Sequence, residues 1–260
     1  MVMGDKKKGN CSHLDRTVAI IPAAGSGIRM GSHRAKQFIE LDGKPLLAVT
    51  LQPFQNCSAV DAIVLVVPSG DLGYCRKEIV ARFKLDKVQE IVPGGKRRQD
   101  SVRLGLEATD EVYGLALIHD GVRPLLDIDL IERIVAAGRV HRAVIAGLPA
   151  KETVKTVNKR REVVKTYNRH RVWLVQTPQV FRYRDILEAH QKAAQEGWED
   201  ATDDAILVEK LGIAVTVVEG YEKNIKVTTP FDLQLACFFL HNPDARNSTG
   251  TLSREGPVNK

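Results

Sequence analysis

Continuous apolar runs alternate along this chain with segments whose apolar residues recur at helical spacing. TVAIIPAAG (17–25), AIVLVVPS (62–69), VQEIVPGG (88–95) and LALIHDGVRP (115–124) each read as a buried strand running into a loop. Unbroken apolar runs suit parallel strands covered on both faces, where alternation is lost. Between them lie helices. KPLLAVTLQPFQ (44–55) begins at Pro45, and Pro53 is expected to end or kink it. DSVRLGLEA (100–108) follows the third loop. In DIDLIERIVAAG (127–138) Leu130, Ile131, Ile134 and Val135 share a face, and Gly138 is the expected stop. Such alternation predicts an open, mostly parallel α/β sheet with ligands at the carboxyl ends of its strands. KETVKTVNKRREVVKTYNR (151–169) breaks the rhythm: two alternating strands flank a polar turn at Asn158–Arg161. A hairpin of this size is poorly stable alone, so it is an edge decoration or an arm that packs on another subunit.

The polar segments 1–15 and 242–260 read as disordered tails around one domain spanning 16–241, with the arm at about 151–171. No apolar run approaches the roughly 20 residues of a membrane span, and the basic start lacks the apolar stretch of a signal peptide. The cytoplasm is therefore the expected compartment. Cys11, Cys57, Cys75 and Cys237 form no CxxC pair, and the seven histidines show no HExxH spacing, so neither a disulfide framework nor a structural metal site is expected. Of the net charge of +6 the two ends carry +2 and +1, leaving +3 on the body. That is too little to demand nucleic acid, and with only 5% aromatics the chain also lacks a stacking surface. A mildly basic enzyme acting on phosphorylated ligands fits better.

The first loop, PAAGSGIRMGSHRAKQF (22–38), is the most informative. Gly25 and Gly27 permit close approach of the backbone to a ligand, and amides ahead of the next helix can hold phosphate. The dinucleotide pattern fails at Met30, and the Walker pattern fails at Ser32-His33. What stands out is a glycine turn carrying Arg29 and then Lys36. GGKRRQDS (94–101) repeats the glycine-then-basic theme. HDGVRP (119–124) puts Asp120 at a strand end, where Mg²⁺ or a ribose hydroxyl could be held. QTPQ (176–179) and NIKVTTP (224–230) add a hydroxyl and a late lysine, Lys226. Each motif alone is equally compatible with a turn and solvated cations; five in this order are not.

Together AAGSGIRM with Lys36-Gln37, GGKRRQDSV, HDGVRP, QTPQVF, TDDA and NIKVTTPFDL closely resemble the 2-C-methyl-D-erythritol 4-phosphate cytidylyltransferase family, from about Val18 to Leu240. The resemblance implies a Rossmann-like nucleotidyltransferase core with a protruding β-arm, a homodimer exchanging arms, and CTP with Mg²⁺ acting on a sugar-alcohol phosphate. It places Arg29, Lys36 and Lys226 around the CTP phosphates and the transition state. Ala23, Ala24, Gly25, Gly95 and Ser101 would embrace the cytidine. Asp120 and Arg123 would line the seam between nucleotide and acceptor, Asp120 also being the candidate metal support. Thr177 would contact acceptor phosphate or hydroxyls. Thr153 and Arg169 would reach the acceptor phosphate in the neighbouring subunit's site. Lys96 stands where many members carry an acid, and HDGVRP stands for HDAARP, a change that backbone contacts are expected to tolerate. A ribitol 5-phosphate cytidylyltransferase shares the glycine loop and the lysines; TDDA and QTPQVF favour methylerythritol phosphate. A catalytically silent nucleotide-binding subunit would have no use for Arg29, Lys36 and Lys226 together.

Overall fold

A computed structural model describes residues 16–25, 35–109, 112–198 and 201–242. Arg29 and, apart from Asn242, both tails lie outside the described residues.

The described residues form eleven strands: β1 Thr17–Pro22, β2 Glu40–Leu41, β3 Lys44–Pro45, β4 Ala62–Val67, β5 Val88–Pro93, β6 Leu115–Ile118, β7 Ala143–Pro149, β8 Lys155–Val157, β9 Val163–Thr166, β10 Trp173–Arg182 and β11 Val215–Glu219. The helices are α1 Leu46–Asn56, α2 Leu72–Tyr74 continuing into a π-helical Cys75–Ala81, α3 Arg98–Glu107, α4 Ile128–Val140, α5 Tyr183–Gln195, α6 Ala205–Lys210 and α7 Pro230–His241. Seven strands make one sheet in the order β11-β7-β10-β6-β1-β4-β5. Only β10 runs antiparallel to its neighbours, so the mostly parallel sheet expected from the apolar runs is present.

Strand period sorts the runs onto two faces. Ala19, Ile21, Ile63, Leu65, Leu115 and Leu117 pack under α1 and α4, while Val18, Ile20, Val64, Val66, Ala116 and Ile118 pack under α3, α5 and α6. Both faces are thus buried, which is why the central strands read as continuous apolar runs. VQEIVPGG departs from that reading. β5 pairs only with β4 at the sheet edge and leaves Gln89 and Glu90 exposed.

Two helix expectations are corrected. Of the end or kink expected at Pro53, the end is overturned: α1 continues through it to Asn56. Leu47, Leu51 and Phe54 are fully buried against the sheet, and that packing outweighs the hydrogen bond proline removes. Gly138 does not stop α4, which runs on to Val140. A Cβ at Gly138 would lie 2.5 Å from Val180 Cγ1, so the glycine lets α4 sit down on β10.

The chain runs from β1 outward to β4 and β5, then returns to lay β6 on the other side of β1. The topological switch point therefore falls between β1 and β6, where ligands collect in open α/β sheets. β8 and β9 form a separate antiparallel ribbon, closed through Asn158–Arg161 with Arg161 in the left-handed region (φ 64°). Every residue of both strands is exposed.

Candidate active site

Two cavities open at the switch point, of about 450 and 470 Å³, and Arg98, Asp120 and Lys226 line both. Into the first project the loop after β1 with Ala23, Ala24 and Gly25, the short helical turn carrying Lys36, and the loop after β5 with Gly95 and Lys96. Gly94 is required for this closeness: a Cβ there would meet Ala24 Cβ at 2.1 Å. Ser101 buttresses the same loop, accepting from the Gly95 amide (3.1 Å) and donating to the Arg97 carbonyl (3.2 Å). Gly121 also holds the two loops together, because a Cβ would come within 2.8 Å of Ala23 Cβ. In this chain an alanine at 121 would force the Ala23 loop to move, so the glycine of HDGVRP goes with the close approach of the two loops.

Asp120 forms the wall between the cavities. It is buried at the end of β6, and its oxygens meet Arg98 Nε and Lys226 Nζ, each at 2.8 Å, with Arg123 Nε 3.8 Å away. Burial alone would raise its pKa; the charges of Arg98, Lys226 and Arg123 overcome that and hold the carboxyl well below the usual range. Arg98 also reaches Asp204 at 2.8 Å, and Asp204 in turn faces His190 at 3.1 Å. Burial opposes the charge of Arg98, but Asp204 and Asp120 prevail and hold it more firmly protonated than usual.

The second cavity draws on β10. Its register slips between Val175 and Gln179, and the consecutive Gln176 and Thr177 both line the cavity. Asn224 donates to the Thr177 carbonyl (2.7 Å) and Arg123 donates to the Asn224 carbonyl (2.7 Å). The backbone pairing of Val227 N–H with Val122 C=O (2.8 Å) sets Lys226 beside the Asp120 turn.

Of the residues proposed from sequence, the structure gathers Ala23, Ala24, Gly25, Lys36, Gly95, Ser101, Asp120 and Lys226 at the first cavity, and Arg123 and Thr177 with Asp120 and Lys226 at the second. Thr153 and Arg169 line neither. Both are exposed on the arm, where Arg169 donates to the Lys151 carbonyl at 3.1 Å. Sequence reasoning gave no individual role to Arg98 and Asp204, although both lie in motifs it singled out. The available signal was the run Lys96-Arg97-Arg98 at a helix start, where the dipole disfavours cations and a compensating acid must be near.

A glycine-lined cleft at the switch point shares a wall of one carboxylate and two cations with a second polar cavity, and the class of protein that carries this fold and site is the nucleotidyltransferase. The family model described as 2-C-methyl-D-erythritol 4-phosphate cytidylyltransferase matches residues 17–242, and the chain belongs to that family. It is 46% identical over 231 residues to the 2-C-methyl-D-erythritol 4-phosphate cytidylyltransferase of Syntrophus aciditrophicus (strain SB), covering 89% of this chain and 98% of that one. The Alkaliphilus metalliredigens (strain QYMF) protein of the same name is 44% identical over 218 residues, 84% of this chain and 90% of its own. Among solved structures, the 4-diphosphocytidyl-2C-methyl-D-erythritol synthase from Anaerococcus prevotii DSM 20548 superposes with a TM-score of 0.76 at 33% identity, covering 88% and 99% of the two chains. The 2-C-methyl-D-erythritol 4-phosphate cytidylyltransferase from Thermus thermophilus gives 0.70 at 32%, covering 86% and 98%.

Proposed function

We propose that this enzyme transfers CMP from CTP to 2-C-methyl-D-erythritol 4-phosphate, giving the CDP-alcohol and pyrophosphate in non-mevalonate isoprenoid precursor biosynthesis. The observation that carries the reading is the shared wall of Arg98, Asp120 and Lys226 between two cavities. An acceptor phosphate in one chamber can approach the α-phosphorus of a nucleotide in the other only across that wall.

An oxygen of the acceptor phosphate attacks the α-phosphorus, a new P–O bond forms, and the bond to the bridging oxygen breaks as pyrophosphate leaves. The attacking phosphate has a second pKa of about 6 and is already largely a dianion at neutral pH, so no general base is required. The nearest histidine to Asp120, His119, is buried and hydrogen-bonded through both ring nitrogens, which suits structure rather than proton transfer. The task is to bring two anions together and to stabilise the charge that develops, which aligned cations perform in a water-poor cleft. Lys36 and Lys226 line the nucleotide chamber, and Arg29 joins them by family resemblance. Asp120 holds Lys226 and Arg98 in place without cancelling the positive field of the site. The Ala23–Gly25 and Gly95 backbones take the cytidine, whose small ring suits a cleft made narrow by glycine contacts.

Magnesium fits as an ion delivered with the triphosphate. Asp120 is the only carboxylate among the described residues of the nucleotide chamber, and both its oxygens already face cations. No group of three or more metal-ligating side chains is assembled among the described residues. Mg²⁺ commonly binds through one or two carboxylates plus substrate phosphates. With Asp120 as its protein support, it would supply positive charge that stabilises the departing pyrophosphate.

The arm supports a homodimer. Val157, Val163, Val164, Tyr167, Trp173 and Leu174 are all exposed on or beside the ribbon, an apolar surface that a second copy would cover, carrying Thr153 and Arg169 into its acceptor chamber. No described helix is long and apolar enough to cross a membrane.

Pyrophosphate release with CTP, measured separately with methylerythritol phosphate and ribitol 5-phosphate, tests the function. Preference for ribitol phosphate would move the chain to the alternative acceptor, and no release with either would reject the transferase reading. Exhaustive chelation is expected to abolish release and added Mg²⁺ to restore it; activity that survives chelation rejects the metal role.

A further inference from the structure

His119, at the end of β6, is fully buried and packs on the Phe54 ring, with centroids 5.2 Å apart. Its Nε2 lies 3.1 Å from the carbonyl oxygen of Arg123, and its Nδ1 lies 3.1 Å from Thr177 Oγ1. The same Oγ1 lies 3.1 Å from the amide nitrogen of Asp120. These three contacts fix every proton among them. A carbonyl only accepts, so Nε2 must carry the hydrogen. The ring is fully buried against a carbonyl, a hydroxyl and the Phe54 ring, with no carboxylate among the described residues in contact to compensate a charge, so the imidazole is neutral and Nδ1 is bare. A bare nitrogen only accepts, so Thr177 donates its hydroxyl proton to it. The Asp120 amide only donates, so it occupies one of the two lone pairs on Thr177 Oγ1. A single lone pair remains for anything in the second cavity, which Thr177 lines.

We propose that His119 is a positioning residue that locks Thr177 as a pure hydrogen-bond acceptor, so that Thr177 reads a hydroxyl of the sugar-alcohol phosphate and does not hold its phosphate. The identity of the acceptor rests on the function proposed above; the locked hydroxyl does not. A phosphate oxygen offers only lone pairs and is repelled by a lone pair aimed at it. A substrate hydroxyl has the proton that Thr177 lacks. The phosphate is then left to the cations, of which Arg123 and Lys226 line the same cavity. His119 also anchors the turn that carries Asp120: it holds the Arg123 carbonyl, while the Arg123 amide closes onto the Asp120 carbonyl at 3.1 Å.

The first test is made on the free enzyme. Long-range ¹H–¹⁵N spectra of protein labelled at histidine nitrogen, with His119→Gln for assignment, are expected to show a neutral His119 protonated at Nε2 at pH 7. An Nδ1-protonated or doubly protonated ring overturns the proposal, whatever the substrate proves to be. The second test pairs variants with acceptor analogues lacking one hydroxyl each. Thr177→Val should lower kcat/KM for the full acceptor about tenfold while leaving KM for CTP within about twofold, and should cost nothing further with the one analogue missing the hydroxyl it reads. Thr177→Ser should keep most of the activity. His119→Asn, which retains an acceptor near the Nδ1 position, should fall between wild type and His119→Leu in acceptor KM. Equal losses from Thr177→Val with every analogue would overturn the hydroxyl reading. Failure of wild type to use methylerythritol phosphate would reject the acceptor assignment and leave the tautomer result standing.

Discussion

Arg98 shows how much of this site depends on single side chains acting on each other. It spans two buried carboxylates, Asp120, which also meets Lys226, and Asp204, whose other partner is the His190 ring. Removing one partner of a buried pair costs far more than the pair contributes, because the other charge stays behind. Arg98→Gln is therefore expected to lose about 3–5 kcal/mol in urea unfolding and to weaken both CTP and acceptor binding, with Arg98→Lys intermediate. Unchanged unfolding midpoints would show that the two carboxylates find other partners. His119 makes a second prediction at this scale. Its folded pKa near 4 lies below the ordinary value of 6.5, so between these values the unfolded chain binds a proton that the folded chain does not. Its contribution is complete above pH 6.5 and is lost as the pH falls toward 4, a change on the order of 3 kcal/mol. Stability measured by urea unfolding from about pH 7 to 4 should decline over that window, and His119→Asn should flatten the decline. An identical slope in the variant would remove His119 as its source.

At the scale of elements, α4 and β10 illustrate a glycine whose meaning changes with context. In the sequence Gly138 follows a helical stripe and reads as a stop; in the fold it is the contact point of α4 on Val180. Gly138→Ala would gain about 1 kcal/mol of helix propensity and incur an overpacking cost of about 1–3 kcal/mol, because Val180 is branched at Cβ and cannot swing aside. A net loss of stability is expected, relieved by Val180→Ala in the double variant; a stabilised Gly138→Ala would mean that α4 lifts without cost. The β8–β9 ribbon behaves differently. Its alternation and polar turn were legible because a hairpin's register is set locally, by Asn158 and the left-handed Arg161.

At the scale of the whole molecule, the single chain builds both chambers yet leaves Thr153 and Arg169 outside them. Two chains that exchange arms would bring the parts of the site together. Lys36→Ala alone is expected to lower kcat about 10²–10³-fold, the usual loss for one transition-state donor, and Arg169→Ala to act mainly through the acceptor. Mixing the two inactive variants then decides where the arm works. With shared sites, a heterodimer contains one site with both residues intact, and activity returns on subunit exchange. Proven heterodimers that stay inactive would confine the arm to its own subunit and reject the exchange.

Local pattern determined the layout of this protein. Apolar runs of strand length, helical stripes between them and glycine-rich punctuation specify a covered parallel sheet, because strand period and side-chain burial are properties of short segments. The same loops carried most of the site, since ligands of an open sheet gather where its strands end, and Gly25, Lys36, Gly95, Asp120, Thr177 and Lys226 all line the cavities there. Only the tertiary structure decided how those loops meet. That Pro53 is tolerated, that Gly138 is a contact and that Arg98 joins Asp120 to the distant Asp204 are outcomes of packing between separate segments. The direction of the Thr177 proton is another, because it depends on a buried histidine 58 positions away whose tautomer is set by a third group. Such pairings leave no periodic trace, because each is a contact between segments that have no fixed spacing in sequence.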